Sequence, residues 1–190
     1  MGPAAITVLL VLAMTGFLAL AWRKLRIVVA LQPANRFDAP LARWRTVVVN
    51  GLLQRRMVRR EWRPGVMHAV IFVGFLSLLL RKLHLLAIGY DELAAFPAWF
   101  GGGFAAFKDA IEIAVVVAVL YALRRRFFAR PPRLEPNREA ILVLALILAI
   151  MVTDFAFDGF RFALLSERVP QIAHERSYAF AGSAVAHAFA

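Results

Sequence analysis

The sequence predicts an all-α fold: a polytopic membrane helix bundle with four complete transmembrane helices and an unfinished fifth. Hydrophobic residues make up 62% of the 190 residues, and the mean hydropathy is +0.69. A soluble core of this size cannot bury that much apolar surface. The apolar residues form runs of membrane-spanning length, and most basic residues lie between these runs. Lipid is therefore the expected solvent.

Four apolar runs are long enough to cross ~30 Å of hydrocarbon at about 1.5 Å per helical residue. The first run is followed by Arg23 and Arg26 instead of a small-residue cleavage site, which argues against a signal peptide. A fifth segment begins near residue 178 and is still apolar at Ala190, so we expect the chain to stop inside a fifth helix. The predicted spans of this single membrane domain are residues 3–22, 66–88, 104–123 and 140–160. Gly101-Gly102-Gly103, before the third span, predicts a flexible turn.

The distribution of Lys and Arg predicts the orientation of the chain. Of the 23 basic residues, eleven lie in residues 22–64 and six lie in residues 124–138. By the positive-inside rule both loops are cytoplasmic, which places the N-terminus outside a bacterial-type inner (cytoplasmic) membrane. Within the first loop, residues 41–62 mix apolar residues with arginines, a pattern typical of either an interfacial helix or a solvated basic loop. No nucleic acid partner is expected, because the charges flank apolar spans.

Three histidines are candidate cofactor ligands. His68 lies in the first turn of the second span, and imidazole is a common axial ligand of haem in membrane bundles. A helix histidine is equally known as an interhelical hydrogen-bonding residue. His84 lies 16 residues beyond His68, or about 24 Å along the helix, so the two cannot bind one iron. If both bind haem, His68 and His84 would each serve one haem near one face of the membrane, as in an electron path through two haems. The basic neighbours of His84 instead favour a position at the membrane interface without a haem.

His187 lies ten residues into the fifth segment, at membrane depth. The fourth histidine, His174, stands among charged residues of an external loop and is expected to be solvated. The chain has no cysteine, so it holds no disulfide, no thiolate zinc site and no cysteine-ligated iron–sulfur cluster.

Acidic residues near the external end of the spans form a second candidate site. Asp154 and Asp158 share one helix face at i, i+4, and Arg161 lies one turn further on. Charged residues at this depth usually pair with one another, so we expect an ion-pair cluster; the alternative is a proton-exchanging rim beside a quinone or haem propionates. The other expected members are Arg81, Lys82, Lys108, Asp109 and Glu112. No Ser-His-Asp, phosphate-loop or HExxH pattern occurs, so no catalytic residue is predicted.

Several short motifs between residues 50 and 165 resemble one redox family. That family is the heterodisulfide-reductase-like, ETF-linked membrane iron–sulfur oxidoreductases, whose N-terminal membrane domain is similar to the gamma subunit of respiratory nitrate reductase. The motifs are Gln54-Arg55-Arg56-Met57, Gly65-x-x-His68-x-x-x-Phe72-x-Gly74-Phe75, Tyr121-x-x-Arg124-Arg125, Pro132-Arg133-Leu134, Thr153-Asp154 and Asp158-Gly159-x-Arg161-x-Ala163-Leu164.

The resemblance implies a haem b membrane anchor that passes electrons between the quinone pool and a cytoplasmic iron–sulfur protein or downstream domain. It implies one haem b or two, quinone as substrate, and His68 as an iron ligand, for which His187 is the partner available within these residues. The chain is then an electron-transfer part of an oxidoreductase rather than a complete enzyme.

The chain departs from the family pattern in two ways. Family members tend to carry Glu where Asp158 stands, and they continue into further helices and cysteine-rich cluster domains. The sequence is therefore expected to be a fragment or to work with a separate cluster subunit, with the partner of His68 either His187 or a residue beyond Ala190. The alternative from another class is a cofactor-free membrane scaffold or transporter subunit, in which histidines and acids only hold helices together.

Overall fold

The computed structural model describes residues 2–31, 38–129 and 138–188, and every regular element within these ranges is a helix. The all-α prediction is thereby confirmed. The motif Pro132-Arg133-Leu134, part of each basic loop and the last two residues of the predicted fifth segment lie outside the described residues. The helices are α1 (Pro3–Val29), α2 (Pro40–Thr46), α3 (Arg55–Arg60), α4 (Trp62–Ser77), α5 (Leu79–Tyr90), α6 (Ala98–Arg124), α7 (Arg138–Leu165), α8 (Pro170–Tyr178) and α9 (Phe180–Ala188). Short π-helical turns extend α2 over Val47–Leu52 and α6 over Arg125–Ala129.

Three stretches of the described chain are long and apolar enough to cross a membrane: Pro3–Val29, Trp62–Tyr90 and Arg138–Leu165. The second comprises α4 and α5, which meet at a break at Leu78. Helix α6 has 27 residues, but every 18-residue stretch of it contains Lys108, Asp109 and Glu112. Helix α6 therefore differs from these three stretches in its charge content and not in its length.

The helices pack in an order that differs from their order in the chain. Helix α6 is central and contacts α4, α7 and α8, while α9 lies against α7. One core, Leu78, Val115, Val119 and Met151, joins α4, α6 and α7. A second core lies near α8 and α9 and comprises Ala105, Phe162, Ile172, Ala179 and Ala186.

The glycines at the start of α6 correct one prediction. Gly101-Gly102-Gly103 is helical rather than a flexible turn, because α8 approaches this part of α6 closely. A Cβ atom at Gly101 would stand 3.1 Å from Glu175 Cγ, and one at Gly102 would stand 2.7 Å from the Tyr178 ring. The small residues therefore permit helix packing.

Helix α1 stands apart from the bundle. None of its residues is buried. It reaches α5 through Ile6, which lies against Gly89, and through Thr7 Oγ1, which lies 2.9 Å from the Tyr90 hydroxyl. Because most of the apolar surface of α1 is exposed, lipid is the environment that this helix requires.

Candidate functional site

Helices α5, α6, α7 and α8 carry ionisable side chains to one level of the bundle, where they form a buried cluster. None of these side chains belongs to a residue more than 5% exposed. Such burial is unusual for charged groups, which are rarely buried without partners. We call this set the charge cluster: Arg81, Lys108, Asp109, Glu112, Asp154, Asp158, Arg161 and Glu175.

Asp158 connects three helices at the centre of the charge cluster. One carboxylate oxygen lies 2.5 Å from Arg81 Nη2 of α5, and the other lies 2.9 Å from Lys108 Nζ of α6. Arg81 also donates to Asp154 through Nε and Nη2, at 3.1 and 2.9 Å. Asp154 and Asp158 thus bind one guanidinium from neighbouring turns of α7, which confirms the predicted ion-pair cluster.

Lys108 is surrounded by carboxylates. Its Nζ lies 2.7 Å from Asp109, 2.9 Å from Glu112 and 2.9 Å from Asp158. Glu112 Oε2 accepts a hydrogen bond from Lys108, whereas Glu112 Oε1 is buried without a hydrogen-bond partner in the described chain.

The charge cluster also holds the helix that follows it in the chain. Asp109 Oδ2 accepts hydrogen bonds from the backbone N–H groups of Ala181 and Gly182, at 2.7 and 3.3 Å. These are among the first N–H groups of α9, which have no partner within their own helix. A buried carboxylate of α6 therefore caps α9.

Glu175 is the member of the cluster that the sequence analysis missed, and it pairs with Arg161, which the sequence analysis included. Arg161 Nη1 lies 2.9 Å from Glu175 Oε2, and Arg161 Nη2 donates to the Ala94 carbonyl at 2.6 Å. Glu175 Oε1 in turn accepts from the Phe96 N–H at 3.1 Å. The signal for burial of Glu175 was its helical spacing from two apolar positions, Ile172 and Ala179.

His84 faces the protein interior rather than the lipid headgroups. Its ring centroid lies 4.1 Å from that of Phe96, and within the described residues neither ring nitrogen has a well-formed hydrogen bond. A void of about 10 Å³ lies beside His84, Arg81 and Asp158, roughly the space of one water molecule. The predicted interface position is therefore wrong for this side chain.

His68 lies on the surface of α4, at an apolar groove. The groove has a volume of about 340 Å³, and α4, α5, α6 and α7 contribute to its walls. Apart from His68 and Lys82, its lining is aliphatic, aromatic or methionine. This groove, which we call the His68 groove, is lined by His68, Ile71, Phe72, Phe75, Leu78, Leu79, Lys82, Val115, Ile147, Ile150 and Met151.

The structure does not bring His187 to the His68 groove. His187 is exposed on α9, and α9 contacts α7 where Val185 meets Gly159. The groove instead reaches α7 no further along than Met151, which is about 12 Å from Gly159 at 1.5 Å per residue. The His68 groove and α9 therefore meet different parts of α7.

His174, expected to be solvated, is only half exposed. Its ring centroid lies 5.0 Å from that of Tyr178, and the ring packs beside Gly102 of α6. Among the described residues, no group of three or more His, Asp or Glu side chains is arranged to hold a metal ion.

Comparison of the chain with protein-family models, with curated proteins and with solved structures finds no match. The function is therefore argued from two features of the molecule. The charge cluster offers buried, fixed charges of both signs, and the His68 groove offers an imidazole beside an apolar surface.

Proposed function

We propose that the chain is a haem b membrane anchor that passes electrons between the quinone pool and a cytoplasmic iron–sulfur partner, as its resemblance implies. The observation that carries the proposal is His68 on the apolar groove beside α4. Imidazole nitrogen binds haem iron, and apolar walls suit the macrocycle.

The residues of the His68 groove are suited to contact one side of a haem. The His68 side chain makes no hydrogen bond or ion pair within the described chain, which leaves its imidazole free to bind iron. Phe72 and Phe75 supply flat apolar surface in the same groove, and Lys82 supplies a cation. His187 does not line this groove, so the described residues provide it with a single histidine.

Bound there, haem b would supply one-electron transfer. His68 would hold the iron from α4, and the Lys82 ammonium would attract a propionate or a quinone oxygen. Lys82 Nζ also lies 3.8 Å from Asp154, a member of the charge cluster. The carboxylates of this cluster would exchange the protons that accompany quinone chemistry.

We also infer that α6 is a fourth membrane span and that α9 belongs to a fifth. Helix α6 is as long as α1, at 27 residues, and it packs between α4 and α7. Lys108, Asp109 and Glu112, the charged residues within its length rather than at its end, are buried in ion pairs, so lipid would not meet them. The basic segments beside α2 and after α6 would then face the cytoplasm, with the N-terminus outside the inner membrane.

A reduced-minus-oxidised visible spectrum of the purified chain tests the haem assignment. We expect a b-type α-band that is lost in His68→Ala and kept in the control His174→Ala, since His174 lies outside the groove. His187→Ala tests whether this histidine is the second ligand. A colourless protein, or a band that His68→Ala leaves unchanged, overturns the proposal.

The charge cluster favours a second candidate, a cofactor-free membrane scaffold or transporter subunit. Its ion pairs join α5, α6, α7 and α8 without any cofactor. A scaffold would be colourless, and His68→Gln would leave its assembly with a partner unchanged. The same purified samples therefore separate the two candidates.

A further inference from the structure

The segment between α1 and α4 folds into a compact hairpin of short helices. Helix α2 and its π-helical extension lead to Gln54, whose φ of 52° places it in the left-handed region. The Gln54 side-chain amide donates to the Gly51 carbonyl at 2.6 Å, and α3 begins at the next residue. This turn brings α2 and α3 to opposite sides of one groove.

Four arginines line that groove, which we call the arginine groove. It has a volume of about 730 Å³ and is lined by Leu41, Ala42, Arg45, Thr46, Val49, Asn50, Arg55, Arg56 and Arg59. Its four guanidinium groups have no carboxylate partner within the described chain. Like charges held together repel, so an anion bound among them would stabilise the hairpin.

Two other arginines of the basic segments have carboxylate partners. Arg43, on the same short helix as Arg45, lies at 2.5 Å from Asp38, and Arg125 lies 3.0 Å from Glu61. Neither of these paired residues lines the groove. Further arginines without a carboxylate partner in the described chain, such as Arg23 and Arg26, also lie outside the groove, which is distinguished by four such guanidinium groups around a single cavity.

The position of the groove identifies the kind of anion. It lies between the end of α1 and the start of α4, two consecutive apolar helices, and therefore at a membrane surface. Large apolar side chains around it are exposed, including Leu41 at 82%, Trp44 at 66% and Leu53 at 66%. Such side chains favour the boundary between headgroups and acyl chains, where Trp is enriched.

We propose that the arginine groove binds the phosphates of an anionic phospholipid. Arginine forks bind phosphate oxygens in pairs, and the adjacent Leu41 and Val49 would contact the lipid's glycerol and first methylenes. Four arginines match a headgroup with two phosphates better than one with a single phosphate. The site is independent of haem, since neither His68 nor the charge cluster lines it.

Native mass spectrometry of the delipidated full chain in detergent tests the proposal. Cardiolipin, phosphatidylglycerol and phosphatidylcholine are titrated against wild type and the fourfold variant Arg45→Gln, Arg55→Gln, Arg56→Gln, Arg59→Gln. The control Arg23→Gln, Arg26→Gln, Arg43→Gln, Arg63→Gln removes the same charge near the same membrane face, outside the groove. Size-exclusion profiles check that both variants fold, and Arg56→Gln alone provides a milder change.

We expect cardiolipin to bind most tightly and phosphatidylcholine least. Because only the groove arginines would contact the headgroup phosphates directly, the groove variant should bind cardiolipin at least tenfold more weakly, and the control variant less than about threefold more weakly. Equal loss in both variants would show non-specific attraction and overturn the site. Displacement of cardiolipin by millimolar inorganic phosphate, or by polyglutamate at equal charge, would also overturn it, in favour of a free anion or an acidic protein.

Discussion

Asp158 shows what a single residue contributes to this protein. It is 2% exposed and pairs with a guanidinium from one helix and an ammonium from another. Taking charges out of water costs several kcal/mol for each ion, and their mutual attraction offsets that cost only while every partner is present. The stability of the bundle therefore depends on this side chain more than on any exposed ion pair.

Replacing Asp158 by Asn should destabilise the protein strongly. Arg81 and Lys108 would each lose a carboxylate while remaining buried, at a cost of about 3 kcal/mol, the lower end for breaking a buried pair because other carboxylates remain nearby. The measurement is thermal unfolding of the detergent-purified protein. The matched control is Glu92→Gln, an exposed residue after α5; equal midpoints for the two variants would contradict the prediction.

The pairing of Arg161 with Glu175 could not be predicted from the spacing of residues in the sequence. The i, i+4 spacing predicted that Asp154 and Asp158 share a face, since helix geometry alone decides this. The partner of Arg161 depended instead on how α8 folds back over α6 and α7, which no local spacing encodes. Arg161 accordingly pairs with Glu175, 14 positions along the chain.

At the scale of the helices, small residues set the distance between neighbours. A Cβ atom at Gly159 of α7 would stand 2.3 Å from Val185 Cγ1 of α9, and one at Gly74 of α4 would stand 2.3 Å from Val115 Cγ2 of α6. Both separations are too short for non-bonded carbon atoms. Close backbone approach at such positions is a common means of helix association in membranes.

Gly159→Ala should therefore loosen α9. The control is Gly103→Ala, because a Cβ there meets nothing within 4 Å and alanine in a helix is otherwise favoured by about 1 kcal/mol. The reporter is Ala186→Cys, a fully buried position that becomes the only thiol in a chain without cysteine. We expect maleimide to label this thiol severalfold faster in the Gly159→Ala background and no faster in the Gly103→Ala background. Equal rates in both backgrounds would mean that the Gly159 contact does not hold α9.

At the scale of the whole molecule, the two ends of the bundle differ in how their charged residues are exposed or buried. The end that carries α2 and α3 exposes many arginines, whereas the end that carries α8 holds the buried charge cluster and exposes charges of both signs, among them Glu92, Glu167 and Arg168. Exposed cations favour the cytoplasmic side of an inner membrane. The distribution of free charge therefore predicts how the protein is inserted.

Thiol labelling in intact cells tests that orientation. Asn50→Cys introduces a thiol beside α2, and Glu92→Cys introduces one in the loop between α5 and α6; both positions are exposed. A membrane-impermeant maleimide should label Glu92→Cys in intact cells and Asn50→Cys only after permeabilisation. The reverse pattern would show the opposite orientation, and labelling of both would place the two loops on one side.

The sequence by itself determined the helical class and the positions of the basic residues, and three of its four predicted complete spans correspond to helices long and apolar enough to cross a membrane. These properties depend on composition and run length, because a bilayer requires long apolar helices whose backbone groups are paired internally. It also predicted the core of the charge cluster, because Asp154 and Asp158 lie one turn apart on the same helix face.

Only the tertiary structure decided which helices meet. It paired Arg81 with Asp158, 77 positions apart, packed α8 against the glycines of α6, buried His84, and left His187 exposed on α9, outside the His68 groove. These outcomes depend on side-chain packing between segments far apart in the chain. A pattern of residues along one helix contains no information about that packing, which is why the charge cluster was foreseen in part and the separation of the two histidines was not.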